Sequence, residues 1–105
     1  MIFSRLHGTL TTVSGVASVN TPKYSMGYIR QITLVPTTNT NIYDFTMTDE
    51  YGYTILPTED IGTTAIEGGT SIHKVDIPLI GIYTMTITAA TIDENIKYEL
   101  IIQED

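Results

Sequence analysis

Threonine alternates with apolar residues along this chain, most plainly in Thr84-Met85-Thr86-Ile87-Thr88, and that period of two constrains the fold more than any other feature. Side chains two apart share a face of a pleated strand, so the pattern describes strands with one dry face and one wet face. Nineteen threonines and sixteen isoleucines among 105 residues strengthen the reading. Both side chains branch at Cβ, which restricts χ1 and suits a sheet, and threonine does so while tolerating water.

A chain of this length fits one domain, with too little apolar material for a second core. The formal charge of −7 with only Arg5, Lys23, Arg30, Lys74 and Lys97 as cations, scattered in sequence, argues against a nucleic-acid surface and against adhesion to anionic membranes. The absence of cysteine excludes a disulfide framework and thiolate metal ligation. No apolar run approaches the roughly 20 residues of a membrane helix, and the first residues lack a signal-peptide core. Cytoplasmic synthesis without export is the expectation.

Along the chain, residues 1–24 hold β-like pieces at 2–6 and 9–19, broken by Gly8 and Gly15, with poor alternation. They are expected to be an arm or edge strands, ahead of a sandwich domain at 25–105. Tyr28, Ile32 and Leu34 point one way and Ile29, Thr33 and Val35 the other, which predicts a strand buried on much of both faces and stopped at Pro36. Residues 42–48 carry Tyr43, Phe45 and Met47 inward, Asp49-Glu50-Tyr51-Gly52 makes a tight turn, and residues 53–56 return. Residues 57–71 have no sustained period and exceed an ordinary connection. Strands follow at 72–77 and 82–89. Thr91-Ile92-Asp93-Glu94 has the form of a helix capping box, but Ile96, Tyr98, Leu100 and Ile102 alternate as a strand, which makes Asp93-Glu94-Asn95 a hairpin turn. Seven to eight short strands without a crossover helix predict an all-β antiparallel sandwich, immunoglobulin-like or jelly-roll-like.

Catalytic vocabulary is sparse. The carboxylates Asp44, Asp49-Glu50, Glu59-Asp60, Asp76 and Asp93-Glu94 fall in turns or on polar faces, where solvation is the simplest role, and no calcium-loop spacing occurs. His7 and His73 are far apart and read as hydrogen-bonded strand histidines, since a zinc site needs three or four convergent ligands. No nucleophile elbow, dinucleotide fingerprint or phosphate loop is present. No catalytic residue, metal site or cofactor is therefore expected. Tyr43, Tyr83 and Tyr98 lie on dry stripes, whereas Tyr24, Tyr51 and Tyr53 sit in or beside turns and are candidate contact residues.

One stretch carries a resemblance. Gly27-Tyr28-Ile29-Arg30-Gln31-Ile32, Pro36, then Asn41-Ile42-Tyr43-Asp44-Phe45-Thr46-Met47-Thr48-Asp49-Glu50-Tyr51-Gly52, and later Ile80-Gly81 with an I-Y-T-M-T-I-T strand, resemble small β-sandwich virion proteins of tailed bacteriophages over residues 27–102. The resemblance implies a non-enzymatic head protein: a decoration or cement protein on the capsid exterior, or else a connector or fibre component. Its partner would be the major capsid protein, and it would form a homo-oligomer, with a trimer favoured. On that reading the N-terminal segment (Ile2, Phe3, Arg5) and the long loop (Glu59, Asp60, Ile61, Ile66) join Tyr24, Tyr51 and Tyr53 as partner-binding residues. A carbohydrate or cell-surface binding module using the three tyrosines is the alternative.

Overall fold

In the structure, a computed structural model describing residues 2–59 and 71–104, eight strands form two antiparallel sheets and no helix occurs among the described residues. The strands are β1 (Ile2–Thr11), β2 (Ala17–Asn20), β3 (Tyr28–Pro36), β4 (Asp44–Asp49), β5 (Thr54–Glu59), β6 (Ser71–Pro78), β7 (Tyr83–Thr88) and β8 (Asn95–Glu104). One sheet runs β1-β8-β3-β6 and the other β2-β7-β4-β5. Strand 1 therefore pairs with 8, 2 with 7, 3 with 6 and 4 with 5. This is one long hairpin rolled into a sandwich, the jelly-roll order, and it decides between the two sandwich types expected.

Alternation places the core as the sequence implied. Phe45, Met47, Tyr83, Met85 and Ile87 from one sheet face Ile32, Leu34, Ile96, Tyr98, Leu100 and Ile102 from the other, and all are buried. Each such side chain stabilises the fold by about 1.5–3 kcal/mol relative to leaving it exposed.

Four local readings are corrected. Gly8 does not break the first strand. It lies opposite Tyr98, where a Cβ would stand 2.6 Å from the phenol oxygen, so the glycine leaves room for the ring. Residues 1–24 do supply edge strands, the second of the two expected alternatives, but not ahead of the sandwich: β1 and β2 each border one of its sheets, and Leu10 belongs to the core. In β3 a bulge between Ile29 and Gln31 shifts the register, so Ile29 turns inward with Ile32 and Leu34, and Tyr28 does not share their face. Finally, Asp93-Glu94-Asn95 does not make a hairpin turn, because β7 and β8, which the connection at 89–94 joins, lie in different sheets.

That last connection is a polar clasp closing one end of the sandwich. Asp93 accepts hydrogen bonds from the Ser14 and Gly15 N–H groups (3.0 and 2.8 Å), and Glu94 accepts from Thr38 N–H (2.7 Å) and Asn41 Nδ2 (3.3 Å). Fully buried Asn41 in turn exchanges bonds with both backbone groups of Ile92. These two carboxylates thus bind crossing backbone in addition to the solvated role expected of them, Asp93 being exposed and Glu94 half-buried. Desolvation raises the Glu94 pKa, but hydrogen bonds from Thr38, Asn41 and Thr37 outweigh it and hold the group below its ordinary value.

Candidate docking surface

The opposite end of the sandwich is apolar. It is built on the β4–β5 hairpin, where Asp49 Oδ1 accepts the N–H groups of Tyr51 and Tyr53 at 2.9 Å each and Gly52 takes φ +86°. The turn foreseen at residues 49–52 is the one observed, and its positive φ is one that glycine adopts without steric cost. Its effect is to fix the backbone under two tyrosines that are 79% and 71% exposed.

Beside this hairpin runs the connection between β6 and β7. The Glu50 carboxylate lies over Gly81, 2.7 Å from where a Cβ there would sit. Gly81 exchanges backbone bonds with Tyr24, and Leu79 N–H donates to Gly27 O, so residues 24–27 and 79–81 form one paired ledge. The Tyr83 hydroxyl braces it by donating to Pro78 O at 2.8 Å and accepting from Ile80 N–H at 3.2 Å. From that ledge Met26 and Ile80 project, 60% and 69% exposed. Tyr24 is half-buried at the same end. Its phenol pKa is raised by burial first, then by Glu104 and Tyr98. Glu104 pairs with exposed Ile2, whose neighbour Phe3 is also exposed.

Five of the partner-binding residues read from sequence, Ile2, Phe3, Tyr24, Tyr51 and Tyr53, thus come to one end. Arg5 does not. It stands on the outer face of the first sheet, 3.7 Å from Glu99. Glu59 ends β5 opposite Phe45, away from the turn, and Asp60, Ile61 and Ile66 lie outside the described residues. Met26 and Ile80 were missed, because an isolated apolar residue beside a glycine belongs to no periodic stripe. Contiguous exposed apolar side chains rimmed by polar groups mark interaction sites.

The two outer sheet faces differ. Register places Arg5, Arg30, Lys74 and Lys97, four of the five cations, on the outside of the first sheet, so residues scattered in sequence are gathered in space. The bulge turns Arg30 outward, where it stacks 4.7 Å from the Tyr28 ring centroid, donates to Gln103 and pairs with Asp76. A shallow groove of about 530 Å³ crosses this face between Arg5, His7, Thr9, Thr33, Lys97 and Glu99. The outside of the second sheet is hydroxylic, with Ser18, Thr46, Thr48, Thr84, Thr86 and Thr88 in register.

His73 contacts the Ser71 hydroxyl, and burial lowers its pKa. His7, read as hydrogen-bonded, is exposed and makes no side-chain hydrogen bond among the described residues. Among the described residues no three His, Asp or Glu side chains are placed to hold a metal ion. No protein-family model matches the chain, and no curated protein matches it either.

Proposed function

We propose that this jelly roll is a structural, non-enzymatic protein of a bacteriophage particle that decorates or cements the capsid exterior, docking on the major capsid protein through its apolar end. The observation that carries the docking is the set of four exposed side chains, Met26, Tyr51, Tyr53 and Ile80, presented by backbone that Asp49 and Tyr83 hold in place. Exposed aromatic, methionine and isoleucine side chains on a fixed frame suit a protein interface core, since the backbone beneath them has little ordering entropy left to lose on binding. The phage particle itself is suggested by the resemblance over residues 27–102, and the acidic balance of −7 suits a protein that avoids the packaged genome.

With residues 2–20 built into both sheets, docking is assigned to this end and not to a detachable arm. Purified protein mixed with undecorated capsids should sediment with them at a fixed ratio and raise their thermal resistance. Absence of binding ends the proposal. A carbohydrate-binding module would use Tyr51 and Tyr53 for stacking, and a positive glycan array with no capsid binding would select that reading instead.

A further inference from the structure

The four sheet edges are not equally protected. Native sandwiches blunt their edges with short strands, prolines and bulges, because an open edge pairs with any available strand. Here β2 has four residues, β5 contains Pro57 and shifts register against β4, and β6 shifts against β3 and ends at Pro78. β1 has none of these devices. It runs ten residues without proline and pairs with β8 in unbroken register, while no strand among the described residues covers its other side.

Which groups face that open side follows from one bond. Thr12 N–H donates to Glu94 O, one step beyond the last register pair, Thr11 with Asn95. Hydrogen-bonded pairs alternate along an antiparallel ladder. Even-numbered residues of β1 therefore bond to β8, and the N–H and C=O groups of Phe3, Arg5, His7, Thr9 and Thr11 point to the open edge.

We propose that two copies of this chain pair antiparallel through β1 about a two-fold axis at His7, joining two four-stranded sheets into one continuous sheet. This register sets Phe3 against Thr11 of the second copy, Arg5 against Thr9 and His7 against His7, so each of the five edge residues on both copies is used. A second copy is the occupant because a two-fold contact requires one end of the strand to complement the other. Both ends are apolar. Ile2 and Phe3 are exposed where β1 begins, and Val13 is exposed just past its end, two residues beyond the Thr11 that faces Phe3 of the other copy in this register. The strand carries no carboxylate, and Arg5 keeps its pairing with Glu99. The contact stands independently of the capsid reading, and being two-fold it gives dimers in place of the trimer expected from sequence.

Light scattering on the purified chain should give twice 11.6 kDa, and His7→Pro, which removes an edge donor without touching the β8 ladder, should give the single-chain mass with an unchanged β circular-dichroism spectrum. Cysteine scanning reads the register even if the proline variant fails to fold, because the chain has no native thiol. In the dimer the His7 Cα atoms lie about 5.5 Å apart, within disulfide reach. The Thr9 pair lies about 13 Å apart, four residues out of register. Under a mild oxidant His7→Cys should cross-link to a covalent dimer and Thr9→Cys should stay single. A wild-type mass of one chain or of three overturns the proposal, as does cross-linking of Thr9→Cys in preference to His7→Cys.

Discussion

Tyr43 illustrates how a single residue sets a measurable property of the whole chain. Its hydroxyl is the one buried side-chain polar atom without a hydrogen-bond partner among the described residues, and burial pushes its pKa up to about 12 from an ordinary 10.0. A buried, unsatisfied hydroxyl is costly, so Tyr43→Phe should keep or raise stability, by about 1 kcal/mol. The pH dependence has a definite sign. Between the two values the unfolded chain releases the phenol proton while the folded chain retains it, so stability falls as pH rises through that window. Urea midpoints of the wild type should drop across it, and those of Tyr43→Phe should drop less. Tyr24, also raised by burial, keeps the remaining slope. Equal slopes in the two proteins would contradict this role for Tyr43.

At the scale of elements, the connections hold as much information as the strands. The β7–β8 connection is tied to the β1–β2 and β3–β4 connections by Asp93 and Glu94, which satisfy backbone donors where the chain passes between sheets. Because the Glu94 pKa is depressed in the fold, its contribution is present above the ordinary value of 4.5 and is lost as pH falls through the folded value. Glu94→Gln should therefore flatten the acid limb of a urea-midpoint profile below about pH 5, and an unchanged limb would contradict the clasp. Strand positions were legible in sequence because a period of two with β-branched residues acts locally, as in Met85 and Ile87 or Leu100 and Ile102. Partnership was not legible. Asp93-Glu94-Asn95 has turn chemistry, yet turn chemistry does not say whether the chain returns along its own sheet or crosses to the other. The bulge at Arg30 was equally hidden, since one inserted residue reverses which of Tyr28 and Ile29 faces the core.

For the whole molecule, the jelly-roll winding turns sequence-distant residues into surfaces. It separates an end clasped by Asn41, Asp93 and Glu94 from an end that exposes Met26, Tyr51, Tyr53 and Ile80, and puts four cations on one sheet and a threonine array on the other. Tyr51 and Tyr53 could be picked out from sequence because large aromatics beside a turn have no core to enter. Met26 and Ile80 acquire meaning only when residues 24–27 and 79–81 are paired side by side. Interface energy concentrates in a few central anchors, so removing two should weaken docking by about 100-fold. The most direct measurement is the affinity for undecorated capsids of a Met26→Asp/Ile80→Asp variant, compared with Thr86→Asp on the hydroxylic face and with the wild type. The account predicts that the apolar-end variant loses binding while Thr86→Asp binds like the wild type; an apolar-end variant that binds normally, with Thr86→Asp defective, would contradict it.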